Sequence, residues 1–104
     1  MNTSAYLGRL QRQGCTACRL IWGDEYDPPV PGSDAGDSNV VIHHPWEGQG
    51  GAQRAMDECA IPLCVYHHTG EGGVHRNGNS IPALKYMNEM DLLGHTLKFF
   101  IRGI

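Results

Sequence analysis

Four short stretches of this chain carry most of its metal-binding side chains: Cys15 with Cys18, the pair His43 and His44, Cys64 with His67 and His68, and His75. Together they hold three of the four cysteines and five of the six histidines. A Cys-x-x-Cys pair followed far downstream by Cys-x-x-His supplies four ligands, enough to close one tetrahedral zinc site. Cys15, Cys18, Cys64 and His67 are therefore the candidate structural zinc ligands, and they would tie the start of the chain to its middle. Cys59 competes with Cys64 or His67 for this role, but a buried thiol accounts for it more simply. His43, His44, His68 and His75 are not needed for one zinc knot. Their surplus predicts a second, chemically open metal site.

The size of the chain makes a metal brace plausible on physical grounds. Its 104 residues form a single domain, residues 1–104, and 14 glycines and 6 prolines thin the apolar core. Domains of this size often add metal or disulfides to a limited core. Met1 to Gly8 hold no apolar run of signal-peptide length, and no stretch reaches membrane-spanning length. Cysteines mixed with histidines at metal spacing then point to zinc rather than to disulfide bridges, and to a cytoplasmic location without a membrane partner. The formal charge of -3 argues only weakly against a nucleic-acid partner. Much of the acidity lies in residues 23–39, at Asp24, Glu25, Asp27, Asp34 and Asp37, and bound cations add charge that the side-chain sum omits.

Local patterning predicts an α+β chain. Ser4 to Arg12 suits a short helix ended by Gly14. Residues 23–39, rich in Gly, Asp, Pro and Ser, read as a surface loop with no core of its own. Val40 to Ile42 is a β-branched strand that delivers His43 and His44. Residues 52–59 suit a helical turn, Ala60 to Leu63 an extended run, and His67 and His68 the start of a helix or turn. The glycines of residues 69–73 predict a loop before His75. Ser80 as N-cap, Pro82 in the first turn and Gly94 at the end predict a helix over 80–94, with Leu97 to Ile101 as a last apolar piece. This C-terminal third reads as packing without chemistry, and His95 as a structural residue.

Phosphodiester hydrolysis needs an attacking water, a base for its proton, and a cation for the developing negative charge. His43, His68 and His75 can hold one divalent ion with open positions, and His44 can be the base. Three imidazoles suit Zn, Ni or Mn, whereas a Mg site more often shows carboxylates.

The order of these motifs is specific. His43, His44, Pro45, Trp46 and Gly48 to Gly51, then Arg54 and Asp57, then Ile61 to Cys64 with His67 and His68, then Gly73 to His75, resembles phage HNH nucleases. Within them it is most similar to RecA-dependent recombination-enhancement nucleases and related small prophage HNH proteins. The resemblance covers roughly residues 14–94. It implies a small zinc-braced ββα-metal (HNH, His-Me finger) domain with C-terminal helices, His44 as general base, and His43, His68 and His75 around a catalytic metal, a pattern also similar to colicin nucleases. It implies a functional role for Asp57, at or near the middle position of the family name, which either orients His44 or braces the loop. Arg54 stands where the family usually has Lys, and Arg54 and Arg76 become the expected phosphate contacts.

The expected function is a metal-dependent endonuclease cutting DNA in a bacterial host cell. It would carry structural zinc and a catalytic Mg, Mn, Ni or Zn, with a recombinase filament or another phage or host protein as a further partner. The competing expectation is a non-enzymatic zinc-braced module that binds nucleic acid or protein, including a phage inhibitor built on an HNH scaffold.

Overall fold

The computed structural model describes residues 2–45 and 56–103. Helix α1 (Thr3–Gln13) begins at Asn2, whose side chain accepts the backbone N–H of Ala5 at 2.8 Å. It ends at Gly14, whose φ of 95° is open to glycine and strained for other residues. A Cβ at this position would lie 2.7 Å from Tyr26 ring atoms, so the close approach of Tyr26 also requires glycine.

The Cys-x-x-Cys segment opens a second helix, α2 (Thr16–Trp22), which local patterning did not predict. Cys15 is its N-cap, and Cys15 Sγ accepts the backbone N–H of Cys18 at 3.3 Å. Residues 23–39 are largely irregular, with single 3₁₀ turns at Gly23–Glu25 and Gly36–Ser38, and all five of their acids are exposed. The segment does reach the core. Tyr26 folds back against the central apolar cluster, and its hydroxyl accepts the Cys15 backbone N–H at 2.8 Å.

Strands β1 (Val40–His43) and β2 (Ile61–Cys64) pair antiparallel, with Val40 opposite Cys64 and His43 opposite Ile61. All four residues of β2 are buried, and α1, α2 and α4 all pack against this strand. The one-turn helix α3 (Val65–His68) follows directly.

The C-terminal third differs from the predicted helix over 80–94. Ser80–Ile81 is strand β3, paired with β4 (Met87–Asn88) across a turn in which Lys85 and Tyr86 both take positive φ, 56° and 59°. Helix α4 (Glu89–Ile101) starts only after this hairpin, so one helix replaces the expected C-terminal helices. The stronger N-cap is Asn88, which accepts the Asp91 backbone N–H at 2.9 Å and is followed by acidic residues in the first turn. Gly94 lies inside α4, where it costs about 1 kcal/mol relative to alanine. Leu92 and Thr96, both fully buried on the packed face, offset that cost. Thr16 and Thr96 join α2 to α4 through hydroxyls 2.7 Å apart; Thr96 donates to the Leu92 carbonyl, so Thr16 is the donor between them.

The core gathers Cys15, Ala17, Ile61, Leu63, Cys64, Val74, Ile81 and Leu92. Two of these are candidate zinc ligands, so the proposed brace lies inside the core. The fold is α+β, and among the described residues no helix is long and apolar enough to cross a membrane.

Candidate metal centres

Cys15 and Cys18 come from the start of α2, Cys64 from the end of β2 and His67 from α3. Their ligand atoms all lie within 4.8 Å of one another. Cys18 Sγ is 3.7 Å from Cys64 Sγ, and His67 Nδ1 is 3.2, 3.5 and 3.7 Å from the sulfurs of Cys64, Cys18 and Cys15. Zinc bonds of about 2.3 Å to sulfur and about 2.0–2.1 Å to nitrogen give tetrahedral edges of about 3.8 and 3.5 Å. The donor set therefore fits a metal ion such as zinc.

The electrostatics agree. Hydrogen bonds from the Cys15 and Cys18 thiols, then from His67, pull the Cys64 thiol far below its ordinary range. Burial first, then contact with the other two sulfurs, pushes Cys15 far up. At Cys18 a hydrogen bond with Cys15 lowers the pKa, but contact with Cys64 and burial outweigh it and raise the thiol to about 12. Three sulfurs this close share little negative charge among themselves and all ionise only around a cation.

The second group is His43, His68 and His75, again with ligand atoms within 4.8 Å. His68 and His75 meet because the chain folds back on itself. The backbone N–H groups of Val74 and His75 donate to the carbonyls of His67 and His68 at 3.0 and 3.1 Å. Gly73 permits this closeness, since a Cβ there would sit 2.6 Å from the His68 carbonyl oxygen. Asn77 braces the turn by donating to the Gly73 and Glu71 carbonyls. The result places His68 Nε2 3.0 Å from His75 Nε2. The ring of His43, delivered by the last residue of β1, lies 5.2 Å from each of theirs. Burial, then the neighbouring His43 and His75, lowers His68 to about 4. Burial also lowers His43, against the opposing pull of Glu89. Both shifts favour the neutral imidazole, the form that binds metal.

His44 is turned to another partner. Its Nε2 is 2.8 Å from Asp57 Oδ1, and the two side chains are 14% and 28% exposed. The sheet register explains the meeting. His43 stands opposite Ile61, so the residue after β1 runs beside the segment just before β2, where Asp57 begins a 3₁₀ turn. A carboxylate only accepts, so the imidazole donates from Nε2 and keeps its lone pair on Nδ1.

Arg76 is exposed, directly after His75. Arg54 lies outside the described residues, as do Trp46 and the glycine run of residues 48–51. Cys59 is half-buried rather than buried and stays out of the cysteine cluster, and His95 sits on α4 away from both groups.

Compared with known proteins, the chain matches no family model, no curated protein and no solved structure.

The residue that sequence reasoning missed is Glu89. It is fully buried, and its Oε2 is hydrogen-bonded to His43 Nε2. The C-terminal third, expected to serve packing, supplies through Glu89 a carboxylate that meets a histidine of the second group. The only local signal is the Asn88 cap, which sets where α4 begins; nothing in the sequence pairs Glu89 with a histidine 46 residues earlier.

Proposed function

We propose that this chain is a metal-dependent endonuclease of the HNH, ββα-metal type that hydrolyses DNA phosphodiester bonds and is braced by zinc on Cys15, Cys18, Cys64 and His67. The observation that carries the reading is the pairing of His44 with Asp57 beside a separate histidine triad. A zinc-braced binding module has no use for an imidazole oriented by a carboxylate next to three convergent histidines.

His43, His68 and His75 would hold a divalent ion, which would supply positive charge for the phosphate oxygens and for the leaving alkoxide. His44 takes the proton of the attacking water on Nδ1 as the water oxygen bonds to phosphorus and the bond to the leaving sugar oxygen breaks. Asp57 accepts the Nε2 hydrogen, holds the ring in that tautomer and stabilises the imidazolium that forms. Arg76, exposed beside His75, is a phosphate contact, with Arg54 as a second. The phage or prophage setting, and a recombinase filament as partner, rest on the motif resemblance alone.

The test is incubation of purified protein with supercoiled plasmid in Mg, Mn, Ni or Zn beside a His44→Ala control. Nicking by wild type and not by the control supports the proposal. If neither cuts DNA or RNA with any of the four metals, the non-enzymatic zinc-braced module replaces it.

A further inference from the structure

We infer that Glu89 is a positioning residue for the histidine triad: it clamps His43 through Nε2 and thereby presents the other ring nitrogen, Nδ1, to a metal shared with His68 and His75. The inference rests on reading the triad as a metal site.

Glu89 is fully buried, and His43 is 2% exposed. A buried carboxylate without a strong partner is costly, and here its Oε2 meets His43 Nε2. The carboxylate does not belong to the triad's 4.8 Å group of ligand atoms, although it touches His43, so its contact is with one histidine and not with the group. A ligating histidine commonly donates its second ring N–H to a carboxylate, which fixes tautomer and ring orientation.

The fold delivers Glu89 with some care. Ser80 pairs with Asn88, and the left-handed Lys85 and Tyr86 turn the chain between the two strands. Left-handed backbone at two consecutive non-glycine residues is strained and persists only where surrounding structure holds it. Asn88 then caps α4, so Glu89 falls in the first turn, where the helix dipole favours a carboxylate. The hairpin, the cap and the clamp thus form one device, which brings the C-terminal third to the end of β1.

The test uses the full chain with its zinc retained, titrated with Ni²⁺ or Co²⁺ and followed by calorimetry and by the visible bands of cobalt. Glu89→Gln, which keeps size and a hydrogen-bonding oxygen, should weaken uptake of the second metal about 10- to 100-fold. It should shift the cobalt spectrum and leave one zinc per chain and the melting temperature close to wild type. In a His43→Ala background the same change should add no further loss. Unaltered affinity and spectrum in Glu89→Gln, or an equal loss in the His43→Ala background, would overturn the inference. Nitrogen NMR of the wild type needs no variant to fold: His43 should carry its hydrogen on Nε2, and a hydrogen on Nδ1 overturns the clamp. A wild type that shows all of this yet cuts no nucleic acid supports the clamp and sinks the nuclease proposal. A triad that takes up neither nickel nor cobalt overturns the clamp together with the metal-site reading.

Discussion

His67 and His68 are consecutive, yet they serve different clusters: His67 Nδ1 lies 3.2 Å from Cys64 Sγ, and His68 Nε2 lies 3.0 Å from His75 Nε2. A single peptide bond separates the cysteine knot from the histidine triad. The knot therefore sets where His68 enters the triad, and damage to the first should propagate to the second.

Dialysed protein should retain about one zinc per chain, as four preformed ligands imply. Cys64→Ser should lose that zinc and with it the cooperative thermal transition, because zinc binding contributes folding free energy directly. Elemental analysis and a melting curve check both. Absence of zinc, with Cys15 and Cys18 oxidised to each other, removes the idea.

His44→Ala should cut DNA at least about 100-fold more slowly, the usual scale for loss of a general base. Its melting temperature should stay near wild type, since His44 belongs to neither cluster. Asp57→Asn should lower the rate as well, by disturbing the tautomer of His44. Single-turnover rates and melts of the three proteins decide this. Equal destabilisation of His44→Ala and Cys64→Ser would make His44 structural.

His75→Ala should lose activity in a way that added metal partly restores, because His75 is an exposed residue of the triad and two of the three ligands remain. His44→Ala should show no such rescue. The readout is rate against metal concentration, and identical curves for the two variants would contradict the division of roles.

With zinc in the knot but no second metal, stability should depend on pH through His68. Burial and its histidine neighbours hold it at about 4 in the folded state, below the 6.5 of a free imidazole. Between these values the unfolded chain binds a proton that the folded chain does not, so stability falls as pH drops from about 6.5 toward 4. His43, also lowered, adds to the same slope. Melting temperature against pH should be flatter in His68→Asn; an unchanged slope would count against the shift.

Gly14→Ala should destabilise by more than about 1 kcal/mol, because alanine does not suit φ > 0. The new Cβ would also meet Tyr26, the acceptor for the Cys15 N–H. Gly78→Ala is the control: its φ of 64° is also positive, but no atom lies within 4 Å of the added Cβ. Urea midpoints should show the larger loss at Gly14.

The sequence by itself determined the two candidate ligand sets. Cys-x-x-Cys and Cys-x-x-His are local patterns, because two ligands three residues apart on a tight turn face one ion whatever surrounds them. The surplus of histidines around them was equally visible, as was the strand that carries His43, since β-branched periodicity is a short-range property. What only tertiary structure decided was who meets whom. His44 reaches Asp57 through the register of β1 on β2, and no local rule states a register. The start of α4 was misplaced because Ser80 and Asn88 are both good caps, and the choice between them fell to the pairing of β3 with β4. Glu89 was invisible for the same reason. A buried carboxylate is tolerated only beside a partner, and here that partner lies far away in sequence and arrives through packing.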